Sequence, residues 1–124
     1  MNLEDFRNFC LEKKASEEDF PFTKDILVFK VMGKMFALTN INSWESGIPE
    51  VNLKCEPEKA EELRAKYPES ILPGYHMHKK HWNTIKIYHK DIAPSLLTTL
   101  INHSYQLVVQ KLTKKQQQQL NEHF

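Results

Sequence analysis

Apolar residues recur every three to four positions near both ends of the chain, and every second position or more often between them. In NLEDFRNFCLEKK, residues 2–14, Leu3, Phe6, Phe9 and Cys10 share one helical face. Asn2 is placed to cap that helix, and Glu4 and Asp5 suit its positive end. SEEDFPFTK reads as a loop that Pro21 keeps out of helix. ILVFKVMGKMFALTNI, residues 26–41, reads as a β-hairpin, because two β-rich runs flank Met32-Gly33 and a glycine accepts the positive φ of a tight turn. Both runs are apolar on nearly every residue except Lys30 and Thr39. Such strands belong in the middle of a sheet, covered over much of one face. WESGIPE then reads as a turn around Gly47 and Pro49.

VNLKCEP, residues 51–57, alternates: Val51, Leu53 and Cys55 face one way, Asn52, Lys54 and Glu56 the other. Pro57 suits the first position of a helix striped by Ala60, Leu63 and Tyr67, which Pro68 ends. HWNTIKIY, residues 81–88, predicts a strand. From 95 to 112, Leu96/Leu97, Leu100/Ile101, Leu107/Val108 and Leu112 mark a long core-facing helix. TKKQQQQLNEHF loses that period and reads as a solvated tail or a frayed helix end. The expected organisation is one domain, residues 1–112, with a polar Gln-rich C-terminal tail, residues 113–124. Its class is α+β, an antiparallel sheet with helices packed on it.

A length of 124 residues suits one domain, and a net charge of +1 announces no polyanionic partner. The charge is uneven, however. Residues 1–73 hold ten Lys/Arg against fourteen Asp/Glu, and residues 74–124 hold seven against two. Cys10 and Cys55 lie far apart on apolar phases and read as small buried hydrophobes rather than a zinc or redox motif. No apolar run is long enough for a membrane span or opens the chain as a signal peptide does, so a soluble, cytoplasmic protein is expected.

The positive half begins at PGYHMHKKHWNTI, residues 73–85. His76, His78 and His81 have H-x-H-x-x-H spacing, but the motif holds no cysteine or carboxylate, and its lysines repel a divalent cation; no metal site is expected. Two readings stay open. Lys79, Lys80, Lys86 and Lys90 with His78 and Trp82 form a basic and aromatic patch suited to weak, salt-sensitive contact with phosphates and stacking on a base. Alternatively, Pro73-Gly74 makes a turn whose tyrosine, tryptophan and histidines pack against the last helix near Ser104 and Tyr105.

PFTKDILVFKVMGKMFAL, VNLKCEPEKAEELRAKYP, PGYHMHKKHWNTI and INHSYQLVVQKL, in that order, resemble the MmcQ/YjbR family from about Leu3 to Leu112. The string from Pro73 to Trp82 matches the family's most distinctive signature, with His78 where asparagine is more usual. The resemblance implies a CyaY-like, or double-wing, fold of an antiparallel sheet with helices against it. Members are described as predicted DNA-binding proteins, a label that rests on fold likeness.

Two binding functions follow as expectations. The first is weak non-specific DNA binding through Lys79, Lys80, Trp82, Lys86, Lys90 and His78. The second is a small molecule or protein partner in a pocket between the 73–82 turn and the last helix, lined by Tyr75, His76, His81, Ser104 and Tyr105. His103-Ser104 lacks both a nucleophile turn and an acidic orienter, so no catalytic constellation and no cofactor are expected.

Overall fold

Met32 and Gly33 both take positive φ, 50° and 80°. That is the backbone of a tight turn whose twist matches the strands it joins. The expected hairpin results, between β2 (Ile26–Val31) and β3 (Lys34–Asn40). The computed structural model describes residues 1–74 and 77–123. Around the hairpin stand α1 (Leu3–Leu11), β1 (Ser16–Asp19), α2 (Ile41–Glu45), β4 (Glu50–Lys54), α3 (Pro57–Lys66), β5 (Ile71–Pro73), β6 (Trp82–Lys86), α4 (Pro94–Gln110) and α5 (Lys114–His123). The six strands form one antiparallel sheet in the order β1-β2-β3-β4-β6-β5. The fold is α+β, as the strand and helix patterns indicate.

Helices cover one face. Leu27, Phe29 and Val31 of β2, Val51 and Leu53 of β4, and Ile85 of β6 are buried there with Leu97, Leu100, Ile101, Tyr105 and Val108 of α4 and with Phe6 and Cys10 of α1. A β-bulge opposite Phe29 and Lys30 turns both Phe36 and Ala37 of β3 into this core. Phe36 then meets Tyr105 edge-on, with ring centroids 5.3 Å apart. Asn2 caps α1 through a reciprocal box with Asp5.

The expected loop at 16–24 begins as a strand. β1 has no apolar alternation because it is the sheet edge, tied by its backbone to β2 and by two ion pairs, Glu18 with Arg7 and Asp19 with Lys30. The opposite edge, β5, has three residues and ends in proline. The segment 41–45 is helical rather than part of a turn, because Asn40 caps it by accepting from Asn42 N at 2.9 Å.

The Gln-rich segment is not a tail. Thr113 and Gln116 form a reciprocal cap that starts α5, each side chain accepting from the other's backbone N–H at 3.1 Å. Gln117 Nε2 donates to the carbonyls of Val109, Gln110 and Leu112 at the C-terminal end of α4. Leu120 is buried in the main core. Replacing Leu120 by Ala is therefore expected to destabilise the whole domain by about 2–5 kcal/mol in urea unfolding. A change within about 0.5 kcal/mol, the range of ordinary surface substitutions, would mean that α5 does not dock.

Candidate functional site

The signature string is built around a close approach. Gly74 N donates to Trp82 O at 2.9 Å. A Cβ on Gly74 would lie 2.8 Å from Trp82 Cβ and 3.0 Å from Met77 Cβ, so only glycine fits. His78 O accepts from both His81 N and Trp82 N at 3.0 Å, and Arg64 reaches from α3 to donate to Lys79 O at 2.7 Å. Trp82 is buried, 7 % exposed, beside Val28 and Leu38. The expectation that Trp82 stacks on a base is thereby corrected: it is a packing residue. Tyr75 and His76 lie outside the described residues.

The junction between this turn and α4 does not form the expected pocket among the described residues. Ser104 is fully buried; its Oγ accepts from Lys54 N at 2.8 Å and donates to Phe36 O at 2.5 Å. Those backbone groups lie just past the last paired residues of β3 and β4, Ala37 and Leu53, so one hydroxyl satisfies both. Tyr105 is consumed likewise, donating to Lys14 O at 2.6 Å. His81 is half-buried and stands beside His78, ring centroids 5.0 Å apart. What remains between α3, α4 and the sheet is a void of about 10 Å³, bordered by Cys55, Leu63, Asn83 and Leu100.

Neither thiol is poised for chemistry. Burial pushes Cys10 up to about 12 and raises Cys55 against the nearby Lys59. One grouping that sequence reading missed is Ser70, His89 and Asp91. Ser70 Oγ donates to Asp91 Oδ1 at 2.6 Å and lies 2.8 Å from His89 Nδ1. With its proton committed to the carboxylate, Ser70 Oγ accepts from His89, the reverse of a serine activated by a histidine base. It is a clasp between the α3–β5 and β6–α4 connections.

Among the described residues no helix lies across the sheet's other face, and α2 borders it. Across it runs a row of directly opposed residues, Val28, Leu38, Asn52, Thr84 and Leu72, one from each strand from β2 to β5. Thr84 Oγ1 donates to Asn52 Oδ1 at 2.5 Å in the middle of the row. A concavity of about 710 Å³ opens here, lined by the apolar Phe22, Ile26, Leu38 and Met77 and by the polar Asn40, Asn42, Ser43, Ser46, Glu50, Asn52 and Thr84. α2 forms one wall and is held by a chain of bonds: Trp44 Nε1 donates to Thr39 Oγ1 at 2.9 Å, and Thr39 Oγ1 donates to Glu50 O at 2.6 Å. Phe20, Phe22 and Ile48 are exposed apolar side chains, and Phe22 stands on the rim. The sequence signal for this face was the second apolar phase of β2 and β3, Ile26, Val28 and Leu38, which a sheet covered on one side alone does not need.

The basic residues expected to form one patch are divided. His78, Lys79 and Lys80 are exposed before β6, while Lys86 ends the strand and Lys90 follows it. The strand separates the two groups by roughly 13 Å at 3.3 Å per residue. A different cationic group gathers instead. Lys54 is held below its ordinary pKa by burial and then by Lys111 and Lys34. His81 is held down by burial and then by His78, Lys111, Lys54 and Lys80. Lys34, Lys54 and Lys111 come from three separate elements, so no local run of sequence announces them.

Ser104 offers the sharpest test of this arrangement. Ser104→Ala leaves Lys54 N and Phe36 O unpaired and is expected to destabilise by about 1–3 kcal/mol for each buried group left unmet. An unchanged urea midpoint would mean that the serine does not bridge the two strands.

Among the described residues no three His, Cys, Asp or Glu side chains are grouped to hold a metal ion, and no helix is long and apolar enough to cross a membrane. The chain is 42 % identical over 115 residues to the YbdF protein of Escherichia coli O157:H7, spanning 92 % of this chain and 89 % of that one. It is 28 % identical over 120 residues to the YjbR protein of Escherichia coli K12, covering 97 % and 98 % of the two chains. Its fold is similar to the crystal structure of Deinococcus radiodurans protein DR2400, a DUF419 domain, with a TM-score of 0.84 and 41 % identity over 97 % of this chain and 88 % of that one. A crystal structure of a Pseudomonas syringae protein matches at a TM-score of 0.68 and 28 % identity, over 86 % of this chain and 98 % of that one. The YjbR family model matches residues 11–107, and the chain belongs to the YjbR family.

Proposed function

We propose that the protein is a binding module that takes a small organic molecule on the uncovered face of its sheet. The observation that carries this is the 710 Å³ concavity there, which combines apolar side chains with amide, hydroxyl and carboxylate groups. That size and mixture are typical of small-molecule sites. An apolar body rests on Ile26, Leu38, Met77 and Phe22, and the polar groups fix its orientation.

The test is a ¹⁵N-resolved NMR titration with 2-phenylethanol, a neutral probe with one ring and one hydroxyl. Shifts are expected to concentrate at Leu38, Asn52 and Thr84. Ile26→Arg, which places a long side chain in the cavity from a half-buried position, is expected to weaken binding at least about tenfold. Shifts scattered over the surface, or an undiminished affinity in that variant, would remove the reading.

A second reading has its own support, the cationic gathering of Lys34, Lys54, Lys80 and Lys111 with His78 and His81. These residues suit a polyanion such as DNA, held without sequence preference. Four phosphate contacts imply a salt slope of about −3 to −4 in log K against log salt. Because His81 titrates below its ordinary value in the free protein, a bound polyanion raises its pKa, and binding takes up protons. Affinity is therefore expected to rise as pH falls from 8 towards 6. Lys54→Glu with Lys111→Glu should abolish retardation of a short duplex at low salt; retardation unchanged in the double variant would exclude this surface.

A further inference from the structure

We infer that the cavity on the uncovered face selects apolar molecules that carry one protonated amine, with Glu50 as the counter-charge. The inference rests on the reading of that face as a binding site and names the ligand class. Glu50 is the one charged side chain among the described residues lining the cavity. It is half-buried, and its position is fixed from both sides of its peptide: Glu50 N donates to Ser43 Oγ at 3.3 Å, and Glu50 O accepts from Thr39 Oγ1 at 2.6 Å. Its carboxylate has no hydrogen bond or ion pair with the described residues. Lys86 stands opposite it in the sheet register, yet forms no ion pair with it and does not line the cavity.

An unpaired carboxylate beside apolar walls acts on a ligand in two ways. Partial exclusion of water strengthens its attraction for a cation above the value in bulk solvent, and the same field repels an anion. Charge-assisted hydrogen bonds are also about twice as strong as neutral ones, so an ammonium gains more from Glu50 than a hydroxyl does. Three neighbouring side-chain oxygens are already engaged in the protein's own hydrogen bonds. Asn40 Oδ1 is occupied by Asn42 N, Ser43 Oγ already donates to Asn40 O, and Asn52 Oδ1 accepts from Thr84. A ring or short chain on Phe22, Ile26, Leu38 and Met77 then places its amine at the β4 end of α2, where Glu50 begins the strand.

A matched series tests this: 2-phenylethylamine, 2-phenylethanol and phenylacetate, titrated by NMR at pH 7.5 and low salt. The amine is expected to bind at least about tenfold more tightly than the alcohol, and the carboxylate more weakly than either. Glu50→Gln is expected to bring the amine to within about twofold of the alcohol, while Lys86→Gln keeps the order of the three. Equal affinities for all three, or phenylacetate tightest, would overturn the inference and leave the binding face standing. A persistent amine preference in Glu50→Gln would assign the selectivity elsewhere and overturn it too. If none of the three shifts the resonances of this face, the site reading falls with it.

Discussion

The buried stripe of α4 against one side of the sheet is the contact on which the architecture depends. Leu97, Leu100, Ile101, Tyr105, Leu107 and Val108 are all buried, and each large aliphatic side chain removed from water contributes roughly 1.5–3 kcal/mol. One polar residue interrupts the stripe. Ser104 sits where α4 crosses the splay between β3 and β4, and its hydroxyl meets one backbone group from each strand. An apolar residue there would leave a donor and an acceptor without partners in a dry core, which is the more expensive arrangement. The helix therefore covers a sheet that is opening slightly, and the other side of that sheet stays free.

Much of this was legible in the chain. The stripe of α4, the Met32-Gly33 hairpin, the alternation of β4 and the proline start of α3 each repeat a period or use a residue with one clear backbone preference. What was not legible shares a physical reason. β1 is polar because an edge strand needs backbone bonds, not apolar alternation; β5 is too short to show a period. In α5 the glutamines serve as caps for two helices, work that leaves no apolar stripe, and Leu120 is the buried residue of that helix.

Of the two readings of the signature string, packing is the one Trp82 follows, but on the uncovered face and not against α4. In β6 the two apolar anchors, Trp82 and Ile85, fall on opposite phases, so one enters the helical core and the other the uncovered face. A tryptophan between lysines and a polar run looks exposed in sequence. In the structure it is buried beside the close approach at Gly74. Likewise the cations that gather, Lys34, Lys54 and Lys111, come from the start of one strand, the end of another and a helix end, and no window of residues contains them. The candidate cavity was hidden in the same way, since its lining is drawn from β2, β3, β4 and β6, from α2 and from the connections before β2 and β6.

The division of labour within that cavity is itself informative. Its hydrogen-bonding groups stand on strands or on the capped α2: Asn52 and Thr84 are locked to each other, and the backbone of Glu50 is held by Ser43 and Thr39, the latter also held by Trp44. Groups fixed on such elements lose little freedom when a ligand arrives, which is the condition for discriminating one polar head from another. The apolar residues differ. Phe22 and Met77 belong to the connections before β2 and β6, and Met77 has an unbranched, adaptable side chain. Ile26 and Leu38 stand on strands, so the apolar contact is partly fixed and partly yielding, and the site discriminates more strictly by charge and hydrogen bonding than by shape. Such a face reads the head of its ligand and tolerates variation in the body.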